Sequence, residues 1–165
     1  MSCEFRAVVE GESNGDTQCV ILPVITTNSI EIKDKNPIYK ERPGLKSKIH
    51  SMIVNRTKKG VCKVKSFVVI ARNRRKSFIK VVVLVTGKSK PSLSKLEDTL
   101  RDFNDKGRVS GLWKFRVPLN GVYGDIDIRK VVKTYKDILE DYPGIVEFEV
   151  SEEDVPKIMR VLKKK

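Results

Sequence analysis

Three features of this 165-residue sequence predict an α/β sandwich built on a mixed sheet. Short apolar runs of strand length alternate with longer stretches whose apolar residues recur at helical spacing. One pair of runs is joined by a short polar loop and reads as a hairpin, while the later strands are separated by helices. No internal repeat or long linker interrupts the pattern, so one domain spanning 1–165 is expected.

Residues 5–10 alternate weakly and open the sheet, and the Gly/Ser/Asn-rich residues 10–17 form a turn. Residues 19–25 are continuously apolar, as in a strand buried on both faces. Residues 30–48 are broken by Pro37, Pro43 and Gly44 and support only short helical turns, residues 45–54 suit a helix, and residues 56–60 read as a turn. Residues 65–71 and 78–85 are strong strands flanking a basic loop at 72–77. A helix follows, with Ser94 and Glu97 at capping-box spacing, Leu93, Leu96, Leu100 and Phe103 on one face, and a stop at 104–107. Trp113 begins the next strand as a core anchor. Ile128, Val131, Val132, Tyr135, Ile138 and Leu139 mark a second amphipathic helix that ends at Pro143-Gly144. A strand at 145–150 leads to a last helix capped by Ser151 with Asp154 and carrying Val155, Ile158, Met159 and Leu162.

The composition narrows the function. No apolar run approaches the roughly 18 residues needed to cross a bilayer, and the first residues lack a secretory pattern. Three cysteines without CxxC spacing and a lone His50 point away from a disulfide framework, a zinc site or a catalytic triad. No metal or cofactor is expected, and a reducing, cytoplasmic setting fits. The net charge of +13 is unevenly placed: residues 40–90 hold 16 Lys/Arg and one acid, whereas residues 91–165 hold 15 basic and 14 acidic residues. Such concentration suits contact with a polyanion, DNA, RNA or an acidic protein. Arg72, Arg74, Arg75 and Lys76 crowd one hairpin tip and are candidate phosphate contacts; a solvated tip is the plainer alternative.

The stretch 113–150 organises the rest. It reads as a strand, a Gly-containing loop, an amphipathic helix and a closing strand. A loop between a strand's carboxyl end and a helix N-terminus is where α/β proteins bind phosphorylated ligands. Gly121 and Gly124 would let backbone N–H groups approach phosphate oxygens, and Tyr123 is placed to lie against a ribose or base. A plain turn with Asp125 or Asp127 as helix cap is the alternative.

In order and content these elements resemble the macro domain, the three-layer α/β/α module that binds ADP-ribose. Val8-Val9-Glu10-Gly11-Glu12 followed by residues 19–24 looks like the family's opening strand, turn and buried strand. Residues 66–72 and 78–87 look like its central hairpin, with Val85-Thr86-Gly87-Lys88 similar to its "Pro-Thr-Lys". Residues 91–98 resemble the helix start of macro domains that act on ADP-ribosylated DNA. Val117-Pro118-Leu119-Asn120-Gly121-Val122-Tyr123-Gly124-Asp125-Ile126-Asp127 resembles the loop "Ile-Pro-x-Leu-Gly-x-Gly-x-Gly-Gly-Leu-Asp-Trp" that wraps the diphosphate. The resemblance implies binding of ADP-ribose or a related nucleotide, with Glu12 on the base. It places Thr27, Asn28, Asn120, Gly121, Val122, Tyr123, Gly124 and Asp125 around the rest of the ligand. If an ADP-ribose linkage is hydrolysed, Asn28 would orient the ribose and Lys33 or Lys35 would assist.

The sequence departs from that family at three places. Glu12 stands where aspartate is usual, Asn120 and Tyr123 stand where glycines are usual, and residues 25–35 contain no glycine. Cβ atoms there crowd a backbone-lined phosphate cradle. Binding is therefore the first expectation and hydrolysis the second. A non-catalytic scaffold gripping a polyanion through residues 40–90 is the rival, and a compact, diverged domain would suit a viral or mobile-element product. A third reading pairs Asp125 and Asp127 on a magnesium ion, with Glu147 or Glu149 as third acid. It requires residues 125–128 to be a strand.

Overall fold

The computed structural model describes residues 3–10, 19–25, 38–59, 61–72, 78–87, 92–119 and 122–163. In chain order these form β1 (Glu4–Val9), β2 (Cys19–Ile25), α1 (Ile38–Glu41) and α2 (Leu45–Asn55), then the ribbon strands β3 (Thr57–Lys58) and β4 (Val61–Cys62). The hairpin strands β5 (Ser66–Arg72) and β6 (Phe78–Gly87) follow, then α3 (Leu93–Ser110), β7 (Lys114–Pro118) and α4 (Ile128–Ile138). β8 (Ile145–Val150), a 3-10 turn at Glu152–Asp154 and α5 (Val155–Lys163) close the chain.

The main sheet has the order β1-β8-β7-β2-β6-β5. Only β5 runs antiparallel to its neighbour, so the mixed sheet has the predicted hairpin at one edge. Strand residues alternate between faces, and each face has its own core. On the first face Cys19, Ile21, Val82, Leu84, Phe115, Val117, Val146 and Phe148 meet Leu96, Leu100 and Phe103 of α3, Val131, Val132 and Tyr135 of α4, and Ile158 of α5. On the second face Leu22, Val24, Phe67, Val69, Val81 and Val83 meet Leu45, Ile49 and Ile53 of α2, with Ile38 and Tyr39 of α1 packed alongside. The result is a three-layer α/β/α arrangement.

The second face is apolar on only one side. On β7, β8 and β1 the same face carries Arg116, Glu147, Glu149 and Arg6, joined by Arg116–Glu149 at 3.4 Å, Arg116–Glu147 at 3.5 Å and Arg6–Glu147 at 4.0 Å. Arg116 and Glu147 are buried. Removing one partner would strand a buried charge, which is why such pairs act as a unit.

Three local expectations change. The helix predicted to stop at 104–107 runs on to Ser110 and is capped by Gly111 at φ 69°. Gly107 lies inside it because an added Cβ would sit 2.6 Å from the Tyr142 Oη and 2.9 Å from Phe103. The glycine lets α3 approach Tyr142, whose hydroxyl donates to Leu112 O at 2.5 Å. Its N-cap is Ser92, accepting from the Lys95 amide at 3.2 Å, rather than Ser94. Trp113 is 45% exposed and precedes β7; Leu112 takes the core position instead.

Gly144 is more constrained than Gly107, since a Cβ there would collide with the Trp113 carbonyl, a backbone atom that cannot swing away. That carbonyl also accepts from the Ile145 amide at 2.7 Å. Gly144→Ala is expected to cost about 3 kcal/mol, at the upper end for overpacking. Gly107→Ala should cost less, because alanine recovers about 1 kcal/mol of helix propensity. Urea unfolding midpoints of the two variants check the order.

Candidate functional site

All five parallel strands point their carboxyl ends at one edge, and the candidate site follows from how two of them fail to pair there. β2 bonds to β7 only through Cys19–Phe115 and Val20–Arg116. By contrast, β2–β6 pairing runs on to Ile25 and β7–β8 pairing to Pro118. Hydrogen-bond direction explains the early stop. The Leu119 amide donates to Glu149 O at 3.0 Å, so odd-numbered residues of this segment face β8 and Pro118 faces β2. The Val85 amide donates to Lys65 O at 2.9 Å, so even-numbered residues of β6 face β2. In the Pro23–Leu84 register that turns Ile21 and Pro23 toward β7. Continuing the β2–β7 ladder would need Pro118 to donate to Ile21 and Pro23 to donate to Pro118. Neither proline has an N–H. The sheet therefore carries an unbonded seam between the carboxyl halves of β2 and β7.

The seam coincides with a reversal of the chain. After β2 the polypeptide passes to α1 and α2 on the second face, whereas after β7 it passes to α4 on the first. Strand ends whose connections leave in opposite directions form the crevice where open α/β sheets bind ligands.

The loop from β7 to α4 borders this crevice. Tyr123 is buried, and its hydroxyl lies 2.6 Å from that of Tyr135. Burial first, then the adjacent Tyr123 hydroxyl, push the Tyr135 phenol well above its ordinary range, so Tyr135 stays protonated. Tyr123 thus anchors the loop to the core through its hydroxyl, while its side chain also lines the cavity beneath the loop. Gly124 at φ 60° is in the left-handed region, and Gly124 and Asp125 are exposed. Asp127 caps α4, accepting from the Arg129 amide at 2.9 Å, while the Arg129 guanidinium reaches its carboxylate at 2.8 Å. The Arg129 side chain, then its backbone amide, hold the Asp127 carboxyl down at about 2.

Beneath the loop lies a cavity of about 210 Å³ lined by Leu119, Tyr123, Gly124, Ile126, Ile128, Val150 and Asp154. It is smaller than the roughly 300–1,000 Å³ of most small-molecule sites, so it suits one ring of a larger ligand. Val150 and Asp154, the latter read from the sequence only as a helix cap, join the site from β8 and the turn before α5.

Asp125 and Asp127 lie in a turn and at a helix cap, not on a strand, while Glu147 and Glu149 are engaged by Arg116 on the second face. The magnesium reading fails on this geometry. Burial pushes the Cys3 and Cys19 thiols up to about 11, which leaves them protonated and poorly nucleophilic near pH 7. Glu12, Thr27, Asn28, Lys33, Lys35, Asn120, Gly121, Arg74, Arg75 and Lys76 lie outside the described residues, as does the side chain of Arg72. Strand pairing still locates the hairpin ends: Arg72 is opposite Phe78, and Lys80 is opposite Cys19, the first residue of β2. The described ends of β5 and β6 at Arg72 and Phe78 thus lie at the amino edge of the sheet, opposite the seam.

No protein-family model and no curated protein matches the sequence, but solved structures do match the fold. A Thermosipho africanus DarTG in complex with ADP-ribose superposes with a TM-score of 0.67 at 13% identity, over 90% of this chain and 42% of its own. An Oceanobacillus iheyensis macrodomain mutant with ADPR gives 0.66 at 18% identity, over 94% and 90%. The macrodomain of Thermus aquaticus DarG gives 0.63 at 12% identity, over 90% and 99%. The present chain thus spans less than half of the Thermosipho protein and nearly all of the other two.

Two predictions follow from the site geometry. A Pro23→Ala/Pro118→Ala variant regains both donors, and amide exchange at positions 23 and 118 should become protected. The midpoint should stay nearly constant, since about 1 kcal/mol per new bond is offset by about 0.4–1 kcal/mol per lost proline restriction. Asp127→Ala should cost about 1 kcal/mol and Asp127→Asn a few tenths. Because the folded Asp127 value is depressed from 3.8, its charge-dependent stabilisation is fully present above about pH 4 and fades as pH falls toward about 2. Urea titrations of wild type and Asp127→Asn at stepped pH measure that difference.

Proposed function

We propose that this chain, which has the macrodomain fold, binds ADP-ribose or a related nucleotide in the crevice over the β2–β7 seam. The observation that carries the reading is the coincidence of three features at one place. The seam opens where the chain reverses, the loop ending at the α4 N-terminus borders it, and macrodomain structures solved with ADP-ribose share this topology. The diphosphate is assigned to backbone N–H groups of residues 120–125, where Gly121 and Gly124 allow close approach and the helix end adds partial positive charge. Thr27 and Asn28, which follow β2 in the chain, are assigned to the same ligand, Glu12 to the base, and the cavity beneath the loop to one ring.

Hydrolysis of an ADP-ribose linkage is the narrower form of this reading. Asn28 would orient the ribose, with Lys33 or Lys35 assisting; release of ADP-ribose from modified nucleic acid or protein measures it.

Calorimetric titration with ADP-ribose at 50 and 200 mM salt tests the binding. The expected result is an affinity on the order of micromolar, about −8 kcal/mol, that changes little with salt. Gly124→Val forces a β-branched residue into the left-handed region, and it, Gly121→Val and Asn28→Ala should each weaken binding at least about tenfold, or ~1.4 kcal/mol. Full affinity in all three variants would remove the site.

A further inference from the structure

A second concavity lies away from the seam, on the flank of β5. It encloses about 720 Å³ and is lined by Asn55, Arg56, Lys58, Lys63, Val64, Lys65, Asp102 and Lys106. Its charge arises from the strand period. Thr57, Cys62 and Val64 are half-buried, Cys62 and Val64 against the second-face core. Alternation then drives Lys58, Lys63 and Lys65 outward, and Arg56 is exposed beside them. The ribbon is held in place by the Lys63 amide donating to Arg56 O at 2.8 Å and by the Thr57 hydroxyl donating to Ile53 O at 2.6 Å.

The acid in this groove is already neutralised. Asp102 accepts from the Ser66 hydroxyl at 2.6 Å and pairs with Lys106 at 2.9 Å. Arg56, Lys58, Lys63 and Lys65 have no carboxylate within ion-pair distance among the described residues. These four cations, of which Lys65 also acts on Asp102, line one groove and suit a repeated anion.

We propose that this groove is a docking track for duplex nucleic acid, with Arg56, Lys58, Lys63 and Lys65 contacting successive backbone phosphates without reading sequence. No aromatic side chain lines the groove among the described residues, so it lacks the stacking platform that single-strand binders use. An acidic peptide adding as a strand is disfavoured, because the outer carbonyls of Ser66 and Ile70 on edge strand β5 are covered by Lys106 at 2.8 Å and Lys48 at 2.9 Å. The proposal is independent of nucleotide binding at the seam, since among the described residues the groove and the cavity beneath the β7–α4 loop share no lining residue.

Fluorescence anisotropy with two 20-bp duplexes of unrelated sequence, between 50 and 200 mM salt, tests it. Four phosphate contacts give a log–log salt slope of about −3.6, roughly a hundredfold loss of affinity over that range. Both duplexes should bind alike. Lys58→Gln/Lys63→Gln/Lys65→Gln should bring the slope to about −0.9 with an unchanged melting temperature, as all three side chains are exposed. Arg74→Gln/Arg75→Gln, in the segment that joins β5 to β6, should leave the slope as in wild type. An undiminished slope in the triple variant, a slope lost in the hairpin variant, or binding of poly-glutamate but not duplex would each overturn the proposal.

Discussion

The constraint on which this architecture turns is a missing donor. Parallel strands in the middle of a sheet normally satisfy every backbone group against both neighbours. Here Pro23 and Pro118 face each other across β2 and β7 in the register set by Cys19–Phe115 and Val20–Arg116. Two consecutive rungs are thereby deleted, so the sheet stays continuous at its amino edge and is parted at its carboxyl edge. The chain also changes direction there, since the connection after β2 leads to α1 and α2 on the second face and that after β7 to α4 on the first.

Each face contributes differently to holding that crevice. The first face is a continuous apolar core in which Tyr123 reaches down from the loop to Tyr135 on α4. This tether fixes the loop backbone while leaving Gly124 and Asp125 outside. The second face is apolar beneath α2 and charged beneath β7 and β8, where Arg116 holds both Glu147 and Glu149. Carboxylates that look like metal ligands in the sequence are thus committed to an internal ion network.

The concentration of positive charge in residues 40–90 also resolves into distinct places. Arg56, Lys58, Lys63 and Lys65 gather on the β5 flank near the carboxyl edge, because the ribbon buries Thr57, Cys62 and Val64. Lys48 and Lys106 shield the exposed edge of β5. The ends of the hairpin loop at 73–77 lie at the amino edge. Among the described residues the charge of this stretch is thus divided between a groove and an edge cover.

What the sequence alone determined is whatever depends on local period and composition. Apolar runs of strand length, the α4 stripe from Ile128 to Leu139, the hairpin, the mixed α/β layout and the resemblance of residues 117–127 to a phosphate loop were all legible there. So was Asp127 as a helix cap. What depends on approach between distant segments was decided only by tertiary structure. Gly107 reads locally as a helix stop, yet it continues the helix because Tyr142 needs the space. Tyr123 reads as a ligand contact, and only the fold shows that its hydroxyl is tied to Tyr135. Pro23 reads as part of the apolar run 19–25 and Pro118 as part of the loop motif 117–127, and only the strand register makes them face one another. Spacing along a chain fixes which face a residue occupies, but the groups opposite that face come from elsewhere in the chain, and they decide what the residue does.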